Sequence, residues 1–322
     1  MDDKTRLVLY RAMLRVRMFE ERIVSVYARQ DMKTPVHLCI GQEAAAAGVG
    51  LQLKKEDYIF STHRNHGHNL VKGANMRRMV AELYGRSAGC DGGKGGSMHI
   101  TDVSCGCMGT TAIVGGSIPL GAGAALAAKL RGDGRVGVSF FGDGASDEGV
   151  FQETLNFAAL KKLPALFVCE NNFYATNSRS VSRHAAKDVC SRAAVFGMYA
   201  AKADGNDAEA VYNEAAKALA HVRSGAGPAF LEFTTYRWKG HVGPEEDYLK
   251  GCRPKAELDE WKKKCPLACY EKKLLASGVL SEAAKQAMTA EIKAELDDAW
   301  AFALAAPYPQ PEELFTAVYR GA

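Results

Sequence analysis

Arg135 to Phe141 reads RVGVSFF and ends at Gly142-Asp143-Gly144; Ala165 to Cys169 is a second apolar run, ending at Glu170-Asn171-Asn172. Short apolar runs bounded by turn residues read as buried strands. Between them, Glu148 to Lys162 has helical character and is stopped near Pro164. One strand–helix–strand unit therefore joins the two polar strand ends, with only residues 145–170 between Gly144 and Asn171. Asp207 to Arg223 adds a helix and Pro228 to Tyr236 another strand. Strands alternating with helices of this length predict an α/β fold, a mainly parallel sheet flanked by helices on both faces.

The flanks are helical. Residues 5–29 place Leu9, Met13, Val16, Ile23 and Tyr27 at helical spacing, and the Ala-rich run from Gln42 to Leu53 predicts a second helix. From Gly85 to Gly123 the chain is Gly-rich, yet GCDGGKGGSMH and TAIVGGSIPLGAG are too apolar for a flexible linker. Such backbone marks close approach to a ligand or another chain. A polar loop follows His241, then helices from about Leu258 to Leu304, and prolines at 307, 309 and 311. The expected division is an α/β domain over 1–257, including the N-terminal helix, and a helical C-terminal extension over 258–322. That extension is expected to carry no strands and to wrap a neighbour or the domain's own flank.

Composition narrows the function classes. A formal charge of +4 over 322 residues, without a basic block, gives no footing for nucleic acid. No apolar run is long enough to span a membrane, and charges interrupt the N-terminal helix too often for a signal peptide, so a cytoplasmic location is expected. Nine cysteines, among them Cys105 and Cys107 in a CxC pair and Cys265 and Cys269 in a CxxxC pair, lack the repeated spacing of a zinc site. They are expected to be ordinary thiols.

In open α/β sheets the ligand sits beyond the C-terminal strand ends. Asp143 and Asn172 offer hard oxygen donors there, of the kind Mg²⁺ takes together with phosphate oxygens. Gly142 and Gly144 let a diphosphate approach the backbone, and a helix starting near Asp147 adds N–H dipole. A GDG alone reads more simply as a β-turn and an Asn pair as a cap; the single unit joining them favours one site.

GDG followed at this interval by NN resembles the thiamine-diphosphate motif. The surrounding blocks, HLCIGQEA (37–44), THRNHGH (62–68), GGKGGSMH (92–99), IVGGSIPLGAG (113–123), FFGDGASDEG (140–149), LPALFVCENN (163–172) and TYRWKGH (235–241), are similar to the alpha subunits of pyruvate, branched-chain 2-oxo-acid and acetoin dehydrogenases. The resemblance runs from about Tyr10 to Trp261. It implies a thiamine-diphosphate-binding fold and an oxidoreductase that cleaves a small 2-oxo acid or acetoin beside its carbonyl, passing the acyl unit to a lipoyl acyltransferase of a multienzyme complex. It also implies a beta subunit, in an α2β2 heterotetramer.

Residue roles follow from the same resemblance. Asp143, Asn172 and the backbone carbonyl of Tyr174 correspond to the Mg²⁺ ligands. Arg64 corresponds to the diphosphate-binding arginine, with His63 beside it; Gly142, Gly144 and Ala145 line the same cofactor. Ala112 and Val114 correspond to backbone that holds the aminopyrimidine ring. His241 corresponds to a histidine at the diphosphate and the mouth of the site, and His66 to a second catalytic histidine. Activation also needs a carboxylate against the pyrimidine, which the resemblance assigns to the beta subunit; a self-contained site would need a local one, for which Glu43 is the candidate.

Several positions depart from the pyruvate-type pattern: His63 where tyrosine is usual, Lys239 before Gly240-His241, Val242 to Asp247 in place of a Ser-containing run, and Cys252 before Arg253. The metal and diphosphate residues are intact while the loop facing substrate and lipoyl partner is altered, so the cofactor chemistry is better specified than the substrate. Two other readings use the same residues differently: a split-subunit, transketolase-like carboligase, and a non-catalytic paralogue. The second predicts loss of the metal ligands, which are intact. A dinucleotide-binding reading is weaker, since GSIPLGAG does not give GxGxxG directly after a strand.

Overall fold

The computed structural model describes residues 1–32, 34–185 and 188–316. α1 (Asp3–Tyr27) begins at Asp2, whose carboxylate accepts the Thr5 N–H at 2.7 Å. α2 (Glu43–Gly50), β1 (Tyr58–Thr62), α3 (His66–Lys72), α4 (Met76–Leu83) and β2 (Cys107–Thr111) follow. Next come α5 (Ser117–Arg131), β3 (Gly137–Gly142), α6 (Gly149–Leu160) and β4 (Ala165–Asn171). A small hairpin, β5 (Tyr174–Ala175) and β6 (Ser178–Arg179), leads to α7 (Val189–Ala194), β7 (Tyr199–Asp204), α8 (Ala208–Arg223) and β8 (Ala229–Thr234). The chain closes through α9 (Lys255–Lys263), α10 (Pro266–Ala276) and α11 (Glu282–Ala305).

Six strands form a parallel sheet in the order β2-β1-β3-β4-β8-β7. Alternation along the central strands sends side chains to opposite faces. Val138, Phe140, Leu166, Val168, Leu231 and Phe233 join one core, with Leu9, Met13 and Phe19 of α1 and Val211 and Leu219 of α8. Phe141, Phe167, Cys169 and Phe230 join the other, with Ile118 of α5 and Phe151 and Leu155 of α6. The sheet is covered on both faces, as the alternating strand and helix pattern predicts.

The structure refines three points of detail. The second helix stops at Gly50 rather than Leu53. The Gly-rich stretch is not irregular throughout: it holds β2, and its end becomes the first half of α5. Gly121 explains the latter, because a Cβ there would lie 2.0 Å from Ser139 Oγ, so the helix rests directly on β3. The C-terminal helices lie on the protein's own flank: Ile292, Leu296 and Trp300 of α11 share the core of α1, and Arg15 pairs with Glu295 at 2.5 Å.

The loop after α4 is organised by one buried carboxylate. Glu82 Oε1 accepts the N–H groups of Gly95 and Gly96 at 2.8 and 3.0 Å, and Oε2 those of Asp91 and Gly93 at 2.8 and 2.9 Å. Gly93 lies at φ +77°, and a Cβ there would meet Gly85 backbone at 2.6 Å. Replacing Glu82 by Gln turns one acceptor into a donor facing two partly buried N–H groups, at a cost of about 1 kcal/mol for each one left unsatisfied. We therefore expect Glu82→Gln to lower the urea midpoint clearly and to speed tryptic cleavage after Lys94. A variant with wild-type values in both assays would show that the loop holds its shape without this carboxylate.

Candidate active site

Parallel pairing brings the C-terminal ends of β1, β2, β3 and β4 to one edge of the sheet, where Thr62, Thr111, Gly142 and Glu170 open into a cleft. Its walls also carry Gln42, His63, Arg64, Val114, Gly115, Asp143, Gly144, Ala145, Asn172, Tyr174, Arg237 and His241. Most of the site expected from sequence is thus drawn together. Ala112 and His66 are not on the cleft wall. His66 starts α3 with its ring turned into the core: Nδ1 lies 3.2 Å from Glu20 Oε1 and Nε2 2.8 Å from Ser97 Oγ. Glu43 is not available to the cleft either, because it is fully buried against Arg17 Nε (2.6 Å) and the Gly41 N–H (3.0 Å).

Register sets the two polar ends side by side. Gly142 pairs with Glu170, so Asp143 and Asn172 each sit just past a matched strand end. Asp143 is buried; its Oδ2 accepts from Arg183 at 2.5 Å, and its Oδ1 has no partner among the described residues. Burial raises the Asp143 carboxyl above its usual range, with Arg183 opposing. Asn172 Oδ1 accepts the Tyr174 N–H at 3.3 Å, and Gln42 Nε2 is buried without a partner among the described residues. A buried acceptor and a buried donor left open on one wall cost free energy unless a ligand meets them. They fit a cation with its attached anion.

Cationic side chains line the cleft at Arg64 and Arg237, and Arg253 lies behind them. Arg64 is buried, its Nη1 donating to the Leu38 carbonyl at 2.7 Å and its Nη2 to that of His241 at 3.3 Å; burial pulls its pKa down to about 10. Arg237 and Arg253 converge on Asp247 Oδ2 at 3.1 and 3.2 Å, two guanidiniums on one carboxylate. His37, His63 and His241 cluster edge to face, with ring centroids 4.5 to 5.2 Å apart. Burial, then Arg64, lowers His37 to about 3, His63 to about 2 and His241 to about 4. Three neutral imidazoles beside buried guanidiniums suit a multivalent anion.

Gln42, Glu170, Arg237, Thr62 and Thr111 line the cleft without having been assigned from sequence. Glu170 is held by His68, Oε1 to Nε2 at 3.2 Å, and that ring stacks on Phe140 with centroids 4.0 Å apart. Their common signal is position. Each lies at or just beyond a strand end, or within the HLCIGQEA and TYRWKGH blocks.

Residues 10–312 match the family described as dehydrogenase E1 component. The chain belongs to the dehydrogenase E1 component family. Among its relatives, the alpha subunit of acetoin:2,6-dichlorophenolindophenol oxidoreductase from Cupriavidus necator is 42% identical over 99% of this chain and 95% of its own length. The Bacillus subtilis protein of that name is 37% identical over 98% of this chain and 94% of its own length. The pyruvate dehydrogenase E1 component subunit alpha of Zymomonas mobilis is 38% identical over 99% of this chain and 90% of its own length. As an E1 component the chain is an oxidoreductase of the alpha type with a thiamine-diphosphate fold, as expected from its sequence blocks. No helix among the described residues is long and apolar enough to cross a membrane.

The histidine cluster gives the E1 chain a measurable acid sensitivity. Unfolded histidines titrate near 6.5, whereas these three stay neutral to well below that. As pH falls, the unfolded chain takes up protons first, so stability present above about 6.5 is lost towards pH 4, at up to ~1.4 kcal/mol per pH unit per histidine. We expect His63→Tyr to reduce the slope of denaturant-derived stability against pH between 6.5 and 5 by about one proton's share. A slope equal to wild type would show that His63 does not contribute.

Proposed function

We propose that this chain is the alpha subunit of a thiamine-diphosphate-dependent dehydrogenase acting on acetoin or a short 2-oxo acid. The observation that carries this is the cleft itself, where Asp143 Oδ1 and Gln42 Nε2, without partners among the described residues, share the lining with Arg64, Arg237, His63 and His241. In this reading Asp143, Asn172 and the Tyr174 carbonyl hold Mg²⁺, and Arg64 and His63 with the Gly142, Gly144 and Ala145 backbone hold the diphosphate. Backbone at Ala112 and Val114 supports the aminopyrimidine ring. When bound, thiamine diphosphate supplies the carbon nucleophile that breaks the bond next to the substrate carbonyl. His241, neutral at physiological pH, holds and moves a proton at the mouth of the site. His66, its ring nitrogens taken by Glu20 and Ser97, is assigned a supporting place behind the wall.

The same reading makes the chain half of an enzyme. Glu43 is fully buried, paired through Oε1 with Arg17, and does not line the cleft, so it is not placed to face the pyrimidine. Apolar side chains stand exposed at the cleft end of α5: Leu120 is 51% exposed, and Ile113, just before α5, is 75% exposed. Exposed apolar area of this kind fits a beta-type subunit that brings the missing carboxylate. A lipoyl acyltransferase is the proposed acceptor of the acyl unit.

Two measurements test the proposal. Calorimetric titration with thiamine diphosphate and Mg²⁺ should show at least about tenfold weaker binding for Asp143→Ala, with its circular dichroism unchanged, as expected for loss of a charged ligand oxygen; equal affinity would remove the metal assignment. A panel of acetoin and short 2-oxo acids with an artificial electron acceptor should give turnover only when the chain is co-expressed with a beta-type partner. Full turnover by this chain alone would overturn the split site.

A further inference from the structure

The CxC pair lies outside the cleft, in the turn that feeds β2. Cys105 ends a short 3₁₀ turn, Gly106 takes φ +82°, and Cys107 opens the strand. The backbone of this turn is fixed on every side. Asp102 and Cys107 exchange N–H···O bonds at 2.9 and 3.1 Å, Ile59 N–H donates to the Gly106 carbonyl at 2.8 Å, and Lys72 Nζ donates to the carbonyls of Lys55, at 2.9 Å, and Cys105. A Cβ at Gly106 would lie 2.2 Å from the Asp57 carbonyl oxygen, so the left-handed turn has no room to move towards β1. Within this frame the two sulfurs face each other at 3.4 Å.

We propose that Cys105 and Cys107 form a reversible dithiol–disulfide couple, an oxidation site for a peroxide. The sulfurs stand 3.4 Å apart, against about 2.05 Å in a disulfide, in a turn whose backbone already holds them face to face. The two thiols are also chemically unequal. The hydrogen bond with Cys107, helped by the Lys72 ammonium and opposed by burial, brings the Cys105 thiol down to about 7, while Cys107 is pushed up. Thiolate is the attacking form, so Cys105 is the first sulfur to react. It also borders an open depression with Lys54, Lys55 and Lys72, which gives a small oxidant a way in. By contrast Cys39, Cys90 and Cys169 are all raised, mainly by burial, and Cys39 also lies against Glu20. The expectation that every cysteine is an ordinary thiol therefore does not extend to this pair.

The chemistry balances with one peroxide. Cys105 thiolate attacks a peroxide oxygen, giving a sulfenic acid and releasing water once protonated; the Cys107 sulfur then displaces the second oxygen as water. Two thiols and one hydrogen peroxide become one disulfide and two waters. The loop closed contains a single intervening residue, so the bond gains little from chain entropy and is open to reduction by ordinary thiols through exchange.

The test needs only the full-length chain and mass spectrometry. The tryptic peptide 95–129 contains both cysteines and no others. After brief hydrogen peroxide treatment, denaturation and capture with N-ethylmaleimide, it is expected unlabelled and lighter by two hydrogens. This conversion should run about tenfold or more ahead of any loss of label at Cys169, and dithiothreitol should restore both labels. In Cys107→Ser the reaction should stop at a dimedone-reactive Cys105. The proposal is overturned if both thiols of the wild-type peptide still take full label after peroxide, or if fragmentation places added oxygen on Cys105 or Cys107, as distinct from Met98 and Met108, in place of the lost hydrogens. Both of those outcomes are read on the wild-type chain, so neither depends on a variant folding.

Discussion

The hydrogen-bonded pairing of β3 with β4 is the constraint on which the rest of the molecule depends. It matches Gly142 to Glu170 and so fixes how far Asp143 and Asn172 stand from one another. The pairing cannot drift. Val138, Phe140, Leu166 and Val168 fill one core, and Phe141, Phe167 and Cys169 the other. A slip of one residue would exchange the two sets and leave both cores mismatched. Apolar packing on the two faces therefore sets the geometry of a polar site that neither face touches.

Around that edge the protein carries electrostatic costs that the sheet alone would not impose. Arg64, Arg237 and Asp143 are all buried, and Arg237 shares its carboxylate partner with Arg253. Buried charges without full compensation destabilise a fold, and such groups concentrate where a ligand completes them. The neutral histidines fit the same logic. Burial and the neighbouring guanidiniums keep protons off them, so the wall donates and accepts hydrogen bonds without adding more like charge.

The sequence makes some of this plain and conceals the rest, for physical reasons. β3, β4 and β8 are central and buried on both faces, so their apolar runs are visible. β2 (CMGTT) lies at the sheet edge with most of its residues only partly buried, and β7 (YAAKAD) at the other edge is likewise half-covered; neither shows an apolar signature. β1 is only five residues long and alternates weakly. Among the site residues, Asp143, Asn172 and Arg64 were legible because they stand in distinctive blocks. Gln42, Glu170 and Arg237 stand in the same blocks, but the reason for their polarity is tertiary: strand ends far apart in sequence meet there. His66 shows the converse, a histidine whose block suggests chemistry while its first-turn position in α3 turns it to Glu20 and Ser97.

The carboxylate of Glu82 governs something besides the stability of its loop. Four amides pinned by one anion hold a glycine-rich surface in a single conformation before anything arrives. A chain of glycines would otherwise sample many shapes, and a partner would have to freeze them at the moment of contact. Here that ordering is completed during folding. Tethered to Glu82, these glycines keep the close-approach backbone that only they allow without the freedom that usually accompanies it.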